Sequence, residues 1–414
     1  MPFDLDAVRA QFPALTLTDN GKRRIYFDNP AGTQVPQGVA DAMSRCLLET
    51  NANAGGRFVT SHAADEIIEG ARAAMADFLN AESPDEIVFG QNMTTLTLHL
   101  SRSIGRLFQR GDEIILSRMD HDANVWPWVL IARDLDLEVK WLSFDTETFE
   151  FDLDRLDELF TDRTRLVCIG GASNLLGTIN DVASVCERAR RAGALTFIDG
   201  VQSVPHIATD VQALGCDFLA CSPYKFFGPH QGVLYGRHEL LEKLEPYKVR
   251  PAPERYPGCF ETGTQSHEGF AGITTAVDYF AWIGETMAGA SGRRNALSAA
   301  MQLLFDYEKV LAERLIDGLL DIDGVRVLGI TDKSAMDRRV PTVSFTHARV
   351  APGDIAQSLA DDNIFVWNGH NYAVEVAKSL GIYESGGAVR IGPVHYNSVG
   401  EVDETLELLA RRLS

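Results

Sequence analysis

Over the first half of the chain, short runs rich in β-branched and aromatic residues alternate with longer segments whose apolar positions return every three to four residues. The runs are IYFDN (25–29), EIVFG (86–90), EIILS (113–117), EVKWLSF (138–144), RLVCIGG (165–171), LTFIDG (195–200) and DFLACS (217–222). Between them lie ADEIIEGARAAMADFLN, TTLTLHLSRSIGRLF, DLDRLDELF and DVASVCERARRAG, which carry helical periodicity. From residue 86 onward the spacing suits βα units, which predicts an α/β architecture with a mostly parallel sheet and helices on its faces. Near residue 271 the pattern changes. Two long helical windows, GITTAVDYFAWIGETM and RRNALSAAMQLLFDYEKVLAERLIDGLL, precede a strand-and-helix set of VRVLG, TVSFTH, DIAQSLADD, IFVWN and VRIG. A final helix opens on Ser398-Val399-Gly400-Glu401, the spacing of a capping box. This second region reads as a smaller α+β domain.

The chain's 414 residues are enough for a large core and more than one domain. With 38 Lys and Arg against 58 Asp and Glu, the net charge is −20. Such a surface is repelled by nucleic-acid phosphates and anionic membranes, so neither is an expected partner. The six cysteines form no CxxC pair and are too sparse for a disulfide scaffold. No apolar run approaches the roughly 18 residues of a membrane span, and MPFDLDAVRAQFPAL has no basic region followed by an apolar one. The expected compartment is a reducing one, the cytoplasm, and no metal site is expected.

In an open α/β sheet, ligands sit beyond the carboxyl ends of the strands. The polar residues just after the runs are Asn92 to Thr95, Asp120 to Asn124, Ser173-Asn174, Asp199 to Gln202 and Ser222 to Lys225. Taken singly, each is equally a turn or a helix cap; their recurrence at successive strand ends is the signal. Within it, Asp199 ends an apolar strand, and Lys225 follows the next one inside SPYKFFGPHQGVLYG. A lysine acting as a covalent amine must be kept from being a freely solvated ammonium. Pro223, Tyr224, Phe226 and Phe227 form an apolar collar suited to that. An acid on the preceding strand suits an ion pair to a protonated pyridine nitrogen, the partnership expected in pyridoxal phosphate enzymes.

These residues, together with FDLDAVRAQFPAL, YFDNPAGTQVP, HDANVWPW, ASNLLGTIN, DGVQSVPH, FETGTQS and VRIGPVHYN, make the chain resemble the class V aminotransferases over nearly its whole length. It is most similar to their cysteine-desulfurase branch. The resemblance implies the pyridoxal-phosphate transferase fold type I: a large domain with a mostly parallel seven-stranded sheet and a smaller α+β C-terminal domain. The divisions expected are an N-terminal segment (1–24) packing with the small domain, a large cofactor-binding domain (25–279) and a small domain (280–414). It further implies that Lys225 carries pyridoxal 5'-phosphate and shuttles the Cα proton, and that Asp199 pairs with the pyridinium N–H. Gln202 and Asn174 are implied at the ring hydroxyl or the substrate, and His121 stacked on the ring as a possible acid or base. Thr94 and Thr95, opening a helix, and Ser222 are implied at the phosphate. Thr264 is implied to reach the phosphate across a homodimer interface, and Arg390 to clamp the substrate carboxylate.

The likeness fails at one chemically decisive place. Desulfurases carry sulfur on a cysteine in a loop reading roughly Arg-Thr-Gly-His-His-Cys; here that segment is Trp367-Asn368-Gly369-His370-Asn371-Tyr372. A phenol cannot form a persulfide. The last cysteine of the chain, Cys259 in PGCFETGTQS, lies far from that loop in sequence. Tyr224 stands where desulfurases place a histidine before the lysine. Arg57 and His62, in NANAGGRFVTSH, are candidate contacts at the site's mouth, with Tyr372 and Trp367 as substrate contacts. The reading is a pyridoxal-phosphate enzyme acting on a small α-amino acid without persulfide chemistry, foremost a β-eliminating lyase of the C–S type. The alternatives are a class V aminotransferase or epimerase, and a catalytically retired binding partner.

Overall fold

The computed structural model describes residues 3–413. Seven strands form the large sheet: β1 (Ile87–Gly90), β2 (Glu113–Ser117), β3 (Glu138–Leu142), β4 (Thr164–Gly170), β5 (Leu195–Asp199), β6 (Phe218–Cys221) and β7 (Gly232–Gly236). Their order across the sheet is β1-β7-β6-β5-β4-β2-β3. Only β7 runs antiparallel to its neighbours. The near-continuous apolar runs follow from burial on both faces, because side chains alternate with period two. In β4, Leu166 and Cys168 pack into one apolar cluster and Val167 and Ile169 into the opposite one. Fully burying a side chain such as Phe197 or Phe218 contributes roughly 2–3 kcal/mol.

Six of the seven runs read from the sequence lie in this sheet. IYFDN does not: Ile25–Tyr26 pairs in parallel with Ile364–Phe365, and Ile25 and Phe27 belong to the smaller domain's core. The seventh strand is instead GVLYG, the antiparallel β7. Local alternation reports that a segment is extended and half or wholly buried, but not which sheet receives it.

The smaller domain is a four-stranded antiparallel sheet of β8 (Val325–Leu328), β9 (Val343–His347), β10 (Trp367–Gly369) and β11 (Ala388–Ile391), ordered β8-β9-β11-β10. Helix α1 (Met93–Gly105) follows β1; α2 (His267–Met287) and α3 (Arg293–Leu320) follow the large sheet; α4 (Val399–Leu413) ends the chain. Helix α3 belongs to both cores. Ala296 to Leu304 pack with the large domain and Leu311 to Leu319 with the small one. The N-terminal segment is tied to the small domain by Arg9–Glu401 (3.0 Å) and Lys22–Asp362 (2.6 Å). The capping box at α4 forms: Glu401 N–H donates to Ser398 Oγ and Ser398 N–H to Glu401 Oε2, each at 3.1 Å.

Candidate active site

The carboxyl ends of β1, β2, β4, β5 and β6 open onto one cavity. Its lining includes Asn92 and Thr94 after β1, Asp120 and His121 after β2, Asn174 after β4, Asp199 and Gln202 after β5, and Ser222 and Tyr224 after β6. Each parallel strand delivers its polar turn to the same edge, so residues more than a hundred positions apart meet there.

Asp199 is buried and receives the Val201 N–H on Oδ1 at 2.9 Å. Burial raises its carboxyl to about 6, against the pull of the Val201 N–H and of Lys225. The Lys225 amine donates to the Pro30 carbonyl and lies 5.0 Å from the Tyr224 ring centroid. Burial, and then the nearby Arg390, lower it from 10.5 to about 7, so a large share of this amine is neutral and nucleophilic near neutral pH. The Tyr224 ring is itself held by a stack on His230, with centroids 4.9 Å apart.

His121 is held by its own loop. Its Nδ1 accepts the Ala123 N–H at 3.0 Å, which leaves the proton of the neutral ring on Nε2. Burial, followed by Lys225 and Arg390, lowers its pKa to about 3. The ring is therefore uncharged over the working pH range and presents a flat face. Beneath it Asp120 receives Ser117 Oγ (2.7 Å), the Gly170 N–H (2.9 Å) and Asn124 Nδ2 (2.7 Å). Burial raises Asp120 to about 7.

At the far end, Asn92 caps α1. Thr95 commits both its N–H (2.8 Å) and its hydroxyl (2.9 Å) to the Asn92 carboxamide, so Thr94, and not Thr95, lines the cavity. The helix end still presents free N–H groups and a positive dipole to an anion. Gly232, at the start of β7, permits this packing: a Cβ there would lie 2.4 Å from the Asn92 backbone.

The small domain closes the opposite side. Arg390 on β11, directly across from Trp367 on β10, is only 4% exposed along its side chain. Its NH1 donates to the Asn174 carbonyl (3.2 Å) and its NH2 lies 3.4 Å from Asp28 Oδ1. The loop after β10 is pinned to the large domain. Asn174 Nδ2 donates to the Asn371 carbonyl (2.7 Å), Asp122 N–H donates to the Tyr372 carbonyl (2.8 Å), and the Tyr372 ring stacks on His121 at 5.3 Å and 20°. Both Asn371 and Tyr372 hold left-handed backbone, at φ 51° and 59°. For a tyrosine this costs on the order of 1 kcal/mol or more, and such strain gathers at functional sites.

Of the seven buried side-chain polar atoms without a partner among the described residues, Asn174 Oδ1 is on a residue that lines the cavity, and Asn371 Oδ1 and Arg390 Nε are on residues bonded to Asn174. Buried polar atoms are ordinarily paired, so this concentration marks a place for a ligand.

The other candidates are placed differently. Gln202 lines the cavity but gives its amide N–H to Thr342 Oγ1 at 2.8 Å. Trp367 and Tyr372 are more than half exposed at the rim, and Arg57, His62 and Thr264 are exposed outside the cavity of their own chain. Cys259 is buried, and none of the six cysteines lines the cavity. Asp28, Pro30 and Asn371 were missed as site residues. Asp28 and Pro30 stand in the YFDNPAGTQVP motif, but nothing local shows that this segment returns beside Arg390.

A neutralisable lysine, a buried acid, a flat neutral ring and a helix N-terminus fit pyridoxal 5'-phosphate in turn: aldehyde, pyridine nitrogen, ring face and phosphate. Among the described residues no cluster of three His, Cys, Asp or Glu could hold a metal ion, and no helix is long and apolar enough to cross a membrane.

Comparison with known proteins points to a family that uses this cofactor. The family described as Aminotransferase class-V matches residues 25–405. A probable cysteine desulfurase of Streptomyces coelicolor is 32% identical, over 98% of this chain and 96% of that protein. A cysteine desulfurase of Yersinia pestis is 30% identical, over 99% and 98%. Among solved structures, the apo cysteine desulfurase of Thermococcus onnurineus is similar at a TM-score of 0.88 and 29% identity, over 99% of this chain and 98% of that one. The cysteine desulfurase CsdA of Escherichia coli is similar at 0.84 and 28%, with the same coverage.

Proposed function

We propose that this chain, which belongs to the class V aminotransferase family of pyridoxal-phosphate enzymes, is a β-eliminating lyase that cleaves a C–S type bond in a small α-amino acid without forming a persulfide. The observation that carries the reading is Tyr372, which stacks on His121 at the mouth of a cavity that no cysteine lines. A phenol holds and gives a proton but cannot accept sulfur, whereas a desulfurase requires a thiolate at that point.

In this reading Lys225, Asp199, His121, Ser222 and Thr94 hold pyridoxal phosphate, with Gln202 and Asn174 near its ring. When bound, the cofactor supplies an electron sink for the pair left by the Cα–H bond. Arg390 holds the substrate carboxylate by a charge-assisted hydrogen bond. Lys225 Nζ, with its lowered affinity for a proton, takes the Cα proton. The Tyr372 hydroxyl gives a proton to the group leaving Cβ, and the stack on His121 keeps it in place. Asp199 stays buried beside a positive charge and Asp120 holds the His121 loop. The net change consumes one water and yields a 2-oxo acid, ammonia and the protonated leaving group. In the same reading the chain is a homodimer in which Thr264, exposed on its own chain, serves the phosphate end of the other copy.

The test incubates the purified, cofactor-loaded protein with a panel of small amino acids bearing sulfur or other leaving groups at Cβ. Release of 2-oxo acid and ammonia with no oxo-acid acceptor is the expected result. Turnover only when an acceptor is added would make it an aminotransferase. Sulfur transfer to a protein thiol would overturn the reading.

A further inference from the structure

Arg390 is buried at the junction of three chain segments, and each of its nitrogens is differently placed. NH1 is committed to the Asn174 carbonyl (3.2 Å), NH2 faces Asp28 Oδ1 (3.4 Å), and Nε has no partner. A buried guanidinium with one unfilled donor is built to receive an acceptor. It already faces a carboxylate that belongs to the protein.

Asp28 is fixed in that position by its backbone. Its carbonyl accepts the Ala31 N–H (3.1 Å) and the Gly32 N–H (3.3 Å). It forms a parallel bridge to Gly392, whose N–H donates to the Phe27 carbonyl at 2.8 Å. The approach is close enough that a Cβ on Gly392 would lie 2.2 Å from the Pro30 ring. The Asp28 side chain is 14% exposed, so it cannot swing freely into water. The same segment carries Pro30, whose carbonyl receives the Lys225 amine. Asp28 is thus held beside both cations of the site.

We propose that Asp28 is a specificity-determining residue: it is the resident counter-ion of Arg390, and an incoming carboxylate must share the guanidinium with it. The consequence is a limit on total negative charge. One carboxylate of a ligand is accepted through the free Nε edge of Arg390, while a second acidic group on the ligand meets Asp28. The substrate class that follows is an α-amino acid with an uncharged side chain, in preference to an acidic one. The inference rests on Arg390 as the carboxylate site of the proposed lyase. Repulsion between two carboxylates sharing one partly desolvated cation is worth at least about tenfold in affinity.

The experiment measures dissociation constants by calorimetry on the cofactor-loaded protein, with three unreactive probes: propionate, propionamide and succinate. Wild type is expected to bind propionate more tightly than propionamide, and at least about tenfold more tightly than succinate. Asp28→Asn is expected to tighten propionate by about tenfold or more, to leave propionamide unchanged, and to narrow the preference over succinate. Asp28→Ser repeats the measurement with a smaller neutral side chain, and the wild-type preference over succinate stands without any variant. If wild type does not distinguish propionate from propionamide, Arg390 is not the carboxylate site and the proposed function loses its anchor. If it does distinguish them, but Asp28→Asn leaves propionate affinity unchanged or weakens it, the role of Asp28 alone is overturned.

Discussion

Two clusters of largely buried ionisable groups in this protein are satisfied to very different degrees. At the junction of the domains, Glu308 on α3 receives His206 Nδ1 at 2.7 Å on one oxygen, and the His395 N–H (3.0 Å) and Nδ1 (3.4 Å) on the other. His395 Nε2 in turn accepts the Tyr279 hydroxyl at 2.8 Å. Burial pushes the Glu308 carboxyl upward, but His206 and the hydrogen bonds from both histidines outweigh it and hold it below the usual range. At the cavity, by contrast, burial prevails. Asp199 and Asp120 are raised, Lys225 and His121 are lowered, and Arg390 keeps an unfilled donor. Full pairing marks the first cluster as a clasp between domains. Incomplete pairing marks the second as a site, because only a ligand can complete it.

Variants at each cluster can break this contrast. Lys225→Ala is expected to abolish the yellow cofactor band and to lower turnover by about a thousandfold or more, while the apoprotein melts no lower than wild type. A large fall in melting temperature would instead make Lys225 a structural residue. Glu308→Ala is expected to do the reverse. It strands two histidines in the interior and costs about 3–5 kcal/mol in denaturant unfolding, with turnover per folded molecule nearly retained. Tyr372→Phe keeps the ring on His121 but removes the proton donor, and a fall of about a hundredfold in kcat with little change in KM is expected from steady-state kinetics. An unchanged kcat would leave the phenol without a chemical role.

The smallest effect concerns pH. The Lys225 amine, at about 7 in place of 10.5, is an ammonium below that pH and a free amine above it. Since only the free amine attacks an aldehyde, stopped-flow uptake of pyridoxal phosphate by the apoprotein should rise about tenfold per pH unit below 7 and level off above it. A rise that continues toward pH 10 would show an ordinary lysine.

Legibility from the sequence differed by residue. Thr94, His121 and Asp199 are legible as residues that line the cavity because each ends or closely follows a strand whose burial on both faces leaves a long apolar run. The capping box at Ser398 and Glu401 was legible for the same local reason. Thr95 looked identical to Thr94 in sequence, yet the cap at Asn92 took its hydroxyl and N–H. IYFDN had every mark of a strand of the large sheet and joined the small domain instead. The pattern does not single out β7, because its short apolar run is bounded by glycines and embedded in the lysine loop.

The chain's own pattern determined the βα order, the polar turns at the strand ends, the cofactor they accept and the tyrosine where a sulfur carrier would stand. The order and the turns are set within a few residues by periodicity and turn chemistry, whereas the meaning of the tyrosine comes from the likeness to the desulfurases. Pairing across long separations was decided only in three dimensions: Asp28 against Arg390, Asn371 against Asn174, Tyr372 against His121, and Glu308 between two histidines. Hydrogen bonding and burial depend on which segments come to share one volume, and no local stretch of sequence carries that information.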